Sequence, residues 1–285
     1  MLELIKRRPL REFFILTFGL SWLGWVPTAL WGKQVLTFPW VVPFLLGGFG
    51  PSLAGVIQLY RTRTREERGQ FWRRLVSFKS ISPAWYLAIF LSFPLLLAAA
   101  VGLHLLLGGA VPPLDGLKAV GEQPVMLVGL VVSGILTGPL SEELGWRGFA
   151  LDELLEHRTP LAAGLITAPI WWAWHLPLFW TAGTSQSEYW MTGSLFWVFL
   201  VQTFPLSVLL TLSAVKNQRS ILAPVLAHFA FNTALSLAHP LPERVIVINA
   251  VLLSVAAVGL VRFSSPGGFA SRENQEQAPG DKHHG

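Results

Sequence analysis

Long apolar runs, each closed by a short polar or proline-containing stretch, divide this chain into eight segments: roughly 13–31, 40–60, 83–107, 124–142, 161–180, 193–214, 220–238 and 244–262. Each comes near or above the ~20 residues a helix needs to cross a hydrocarbon core. The pattern predicts an all-α fold, a polytopic membrane bundle of about eight transmembrane helices. Residues 1–263 read as one integral membrane domain, with the motif-bearing core at 124–239. Residues 264–285, rich in Gly, Gln and charge, read as a disordered tail. The first apolar run is long and lacks a following small-residue cleavage site, so no cleaved signal is expected.

The polar interruptions say more than the runs themselves. Glu142, Glu143 and Arg147 stand at the end of the fourth run, His175 follows Trp171, Trp172 and Trp174 in the fifth, and His228 and Asn232 occupy the seventh. Charges at membrane depth are costly and normally face a bundle interior, where they pair or do chemistry. Glu143 and Arg147 are four apart and share a helix face, whereas Glu142, about 100° further round, is left free to accept a proton. His228 and Asn232 share a face by the same spacing. Leu151 to His157 continues the fourth helix, and Thr159-Pro160 supplies the next helix start. A reversal between Arg158 and Thr159 puts Glu142 and His175 at one level, about 25 Å below the turn. Each site alone has a plainer reading: an ion-pair knot, a satisfied core histidine, an interhelical hydrogen-bond pair. Three on otherwise apolar helices point instead to one shared pocket.

Composition narrows the class. The chain is 52% hydrophobic and 13% charged, against about 25% charged in soluble domains. With no cysteine, disulfides, thiolate metal sites and a cysteine nucleophile are excluded. The net charge of +5 follows from topology. With the N-terminus inside, the cytoplasmic segments collect 18 of the 21 basic residues, leaving Lys33, Lys118 and Arg244 outside. Both termini are then cytoplasmic, the helix count is even, and no nucleic-acid partner is called for. The arginine-rich 61–82 loop reads as a topology determinant, with Phe71, Trp72, Leu75 and Val76 laid on anionic lipid. His283 and His284 read as tail, not metal ligands. The expected setting is a multi-pass protein of a bacterial plasma membrane.

A glutamate near a histidine can deprotonate water and return the proton to a leaving amine. His228 and Asn232 can donate hydrogen bonds to a tetrahedral oxyanion, with Glu143 and Arg147 orienting Glu142. The other chemistry is zinc hydrolysis through Glu142, His175 and His228. No H-E-x-x-H motif is present, and no cofactor or metal is expected. Glu142-Glu143-x-x-x-Arg147, Trp171-x-x-x-His175 and His228-x-x-x-Asn232 resemble, in order and spacing, the CAAX prenyl protease and bacteriocin-processing (abortive-infection) family, which includes the type II CAAX prenyl endopeptidases. The resemblance covers about residues 124–239. It implies an intramembrane endopeptidase of eight or so helices, opening to the cytosol. Glu142 and His175 would activate water, and His228 and Asn232 would stabilise the oxyanion. Trp171 departs from the family's usual phenylalanine while keeping an aromatic wall. The expected partners are the bilayer and a peptide or membrane-protein substrate, prenylated or not. Two other classes fit the same polar helices: a non-catalytic immunity or scaffold protein, and a proton-coupled transporter. No internal repeat of the transporter kind is present.

Overall fold

A computed structural model describes residues 9–32, 34–190 and 193–263, and every regular element among them is helical. The tail at 264–285, with His283 and His284, lies outside the described residues, as do the first eight residues and Lys33. The main helices are α1 (Pro9–Leu30), α2 (Val41–Gly48), α3 (Gly50–Thr62), α4 (Arg65–Val76), α5 (Pro83–Leu106), α6 (Asp115–Glu122) and α7 (Val125–Ile135). After a break at Leu136–Leu140 come α8 (141–155), α9 (Pro160–Trp174), α10 (Ser194–Lys216), α11 (Leu222–Ala238) and α12 (Glu243–Phe263). Starts follow side-chain chemistry. Thr159 caps α9 by accepting from the Ala162 N–H at 3.2 Å, with Pro160 in the first turn. Ser82 and Pro83 do the same for α5, since proline's missing N–H costs nothing there.

Among the described residues, five helices are long and apolar enough to cross a bilayer: α1, α5, the broken 125–155 rod, α10 and α12. A sixth is added if α2 and α3, bent by 48° at Phe49, form one span. The other two of the eight apolar segments fold as α9, of 15 residues, and α11, of 17. Hydropathy counts apolar residues whether or not one helix runs through them, and Leu176-Pro177 halts α9 because the residue before a proline disfavours helix. These two shorter helices bring His175 and His228 to the interior.

The core is aromatic. Phe13 and Trp25 of α1, Trp146 and Phe149 of α8, Trp174 of α9 and Phe231 of α11 join one buried cluster. Large apolar side chains such as Leu23, Leu95 and Val255 point outward, as lipid-facing residues do. Because lipid removes most of the hydrophobic drive between helices, close packing and hydrogen bonds hold them together. Trp174 Nε1 donates to Ser21 Oγ at 2.7 Å, and Trp22 Nε1 donates to the Trp174 carbonyl at 3.0 Å, pinning the end of α9 to α1. Helices α3 and α8 cross at glycines: a Cβ on Gly145 would lie 2.2 Å from the Pro51 carbonyl oxygen. At one end of the bundle Arg74 and Arg219 both pair with Asp152, at 2.6 and 2.5 Å, and Arg63 pairs with Glu153. The loops after α3, α4, α8 and α10 are thereby gathered together.

Candidate active site

The residues of the site are placed by a broken helix. Thr137 (φ −101°, ψ 85°) and Gly138 (φ 129°, ψ −89°) leave helical geometry, and α8 restarts beyond them. Ser141 Oγ accepts from the Gly138 N–H at 2.9 Å and donates to the Gly138 carbonyl at 3.1 Å, closing the break. Glu142 and Glu143 therefore sit in a new first turn. Its free N–H groups and positive dipole end favour carboxylates. The sequence reading ran one helix through this point, because a single Gly-Pro pair in an apolar run does not announce where the backbone turns.

Glu142, Glu143, Arg147, His175 and His228 are all buried, exposing 6, 0, 2, 8 and 4% of their surface, and Asn232 is half-buried. Two clusters result. In the first, Arg147 Nη1 lies 3.0 Å from Glu143 Oε2, and His228 Nδ1 donates to Glu143 Oε1 at 2.8 Å. Ser207 on α10 accepts from Arg147 Nη2 at 3.2 Å and donates to the Gly164 carbonyl at 2.8 Å, tying this cluster to α9. A buried carboxylate and guanidinium are tolerable in this way, each having partners for its charge.

In the second cluster, Glu142 Oε2 accepts from Trp171 Nε1 at 2.6 Å. His175 Nδ1 meets the Trp171 carbonyl at 2.8 Å. A carbonyl only accepts, so the proton is on Nδ1, and the neutral ring then carries its lone pair on Nε2. The other Glu142 oxygen faces Gly138: a Cβ there would lie 3.8 Å from Glu142 Oε1 and 3.5 Å from Asn232 Nδ2. Trp171 joins the clusters, with the Arg147 guanidinium 4.8 Å from its ring centre and the His228 ring edge-on at 5.4 Å.

Trp171 links the two residues expected at one level: its indole N–H bonds Glu142 and its backbone carbonyl bonds His175. His228 is engaged through Nδ1 by Glu143, and the Asn232 amide lies beside Gly138. The Trp171 N–H, Ser141 and Ser207 are members of the site beyond those the sequence motifs mark. The tryptophan's spacing of four from His175 was the available signal, whereas serines in apolar helices gave none. Among the described residues, no three His, Asp or Glu side chains converge on one point as metal ligands. Of the set a zinc ion would use, Glu142 accepts from the Trp171 N–H, His175 Nδ1 meets the Trp171 carbonyl, and His228 Nδ1 is held by Glu143.

Residues 124–234 match the family model described as type II CAAX prenyl endopeptidase Rce1-like. This stretch resembles an Rce1-like domain. It contains all six polar residues of the two clusters. Over 263 residues the chain is 24% identical to "CAAX prenyl protease 2" of Methanococcus maripaludis, covering 90% of this chain and 94% of that protein. Rce1-like family and relative together support a membrane peptide hydrolase, and the apolar helices make the chain an integral membrane protein.

Proposed function

We propose that the chain is an intramembrane endopeptidase in which Glu142 and His175 activate a water molecule. The observation that carries this reading is the His175 Nδ1 bond to the Trp171 backbone carbonyl, which in the neutral ring puts the lone pair on Nε2. The same Trp171 holds one oxygen of the Glu142 carboxylate through its indole N–H, and the other oxygen faces Gly138. A water between these acceptors loses a proton to one of them as its oxygen attacks the scissile carbonyl, and the proton passes to the departing amine. Asn232 donates its amide to the oxyanion. His228 adds a second donor from Nε2 when it carries both protons, its Nδ1 being held by the Glu143 carboxylate. Arg147 balances Glu143's charge, so that the burial of two adjacent glutamates is sustained. No step passes through a metal.

The name of the archaeal relative nominates a peptide with a prenylated C-terminal CAAX motif as the first substrate to try. The proposed setting is a bacterial plasma membrane, with the arginine-rich end at the cytosolic surface and the substrate taken from the membrane or that surface. Comparing membrane and secreted peptides from wild-type and Glu142→Ala cells tests the reading directly. A peptide that accumulates uncut in the mutant is expected, and it identifies the substrate. Identical peptide pools, with the biological activity kept, would favour a binding or immunity protein instead.

A further inference from the structure

We infer that Trp171 is a positioning residue for the hydrolytic water, acting through its indole N–H on Glu142. The inference rests on the proposed role of Glu142 and assigns a task to a residue outside the acid–base pair. One side chain meets both clusters. Its N–H donates to Glu142 Oε2 at 2.6 Å, its ring lies under the Arg147 guanidinium at 4.8 Å, and it stands near-perpendicular to the His228 ring at 5.4 Å. Its own carbonyl accepts from His175 Nδ1 at 2.8 Å. The residue is 3% exposed, so no solvent competes for the N–H. Indole nitrogen donates only, so the bond selects which Glu142 oxygen is held. It leaves Oε1 turned to Gly138 and Asn232. Because the same residue fixes Glu142 through its side chain and His175 through its backbone, the separation of the two proton acceptors is set within one residue. That residue has just two side-chain torsions to order.

Packing alone would need only a flat ring at this place. The inference says the N–H matters as well, and the two can be separated. Trp171→Phe keeps an aromatic surface and the His175-binding carbonyl while deleting the donor. In detergent-solubilised full-length protein, the infrared carboxylate band of Glu142 is identified by its loss in Glu142→Gln. That band is expected to shift in Trp171→Phe. With a quenched-fluorescence peptide ending in a farnesylated CAAX motif as probe, kcat is expected to fall by about tenfold to a hundredfold, the scale for a misplaced catalytic group. KM should stay within about twofold. A Trp171→Phe protein with the band unmoved and kcat at the wild-type value would overturn the inference. If the variant fails to fold, the 15N-indole spectrum decides. One tryptophan N–H resonance should move between wild type and Glu142→Gln, and an unchanged indole spectrum refutes the contact. Glu142→Gln at full activity with a band shift in Trp171→Phe would keep the contact and remove the proposed catalytic role. The two failures are therefore distinguishable.

Discussion

Arg147 has two tasks at once: it neutralises Glu143 from 3.0 Å and stacks its flat guanidinium on Trp171 at 4.8 Å. A lysine at the same place keeps the charge but loses the fork and the stacking surface. Arg147→Lys is expected to lower thermal stability in detergent. Arg147→Ala is expected to cost about 3–5 kcal/mol, because it leaves Glu143 buried without its cation. Thermal melts of both variants check the order. Equal melting temperatures for wild type and Arg147→Ala would show that the pair contributes nothing. At this scale much of the site could be read in advance. Pairs four apart share a face, so Glu143 with Arg147 follows from spacing alone. What spacing does not encode is a contact made through side-chain length, and the Trp171 N–H reaching Glu142 is of that kind. The same holds for His228, whose partner Glu143 lies 85 residues away.

At the level of the element, the break before Glu142 is the decisive feature. Gly138 holds φ at +129°, a conformation that side chains with a Cβ rarely adopt. Gly138→Ala is expected to be strained by its backbone conformation, with its methyl set beside Asn232 and Glu142. The expected result is lower proteolytic activity together with a lower melting temperature; wild-type values for both would show that the break is incidental. A second element carries a pH signature. Thr64 caps α4, with its backbone N–H donating to Glu67 at 2.7 Å, and this bond lowers the Glu67 pKa below its ordinary value. A depressed carboxylate adds stability above its unfolded pKa and loses it as pH falls through the folded value. Protection of α4 amides from hydrogen exchange should therefore decline below about pH 4.3, the ordinary glutamate value. Thr64→Ala should weaken protection at neutral pH and flatten that decline. Helix starts such as Thr159-Pro160 were legible because capping is local chemistry. The interruption at 136–140 was not, because an apolar run looks the same whether it is one helix or two.

Taken as a whole, the molecule is an all-helical membrane protein whose charges are sorted by position. Asp152 collects Arg74 and Arg219 at one end, while the opposite end holds α6 and the start of α12. Composition and periodicity were enough to read the class. They were not enough for the number of spans, because α9 and α11 are apolar yet stop short. The natural absence of cysteine makes orientation simple to measure. Arg65→Cys should react with an impermeant maleimide only after the cytoplasmic face is opened, and Lys118→Cys from outside intact cells. The reverse pattern would invert the proposed topology.

The central claim is that Glu142 activates the attacking water without a metal. Purified wild type and Glu142→Gln, reconstituted in bilayers after exhaustive chelation, are to be compared by mass spectrometry for cleavage of a farnesylated CAAX peptide. The account predicts that wild type still cuts and that Glu142→Gln is slower by about a hundredfold or more, the usual scale for a lost general base. Cleavage by Glu142→Gln at the wild-type rate, or wild-type activity that vanishes on chelation and returns with zinc, would contradict it.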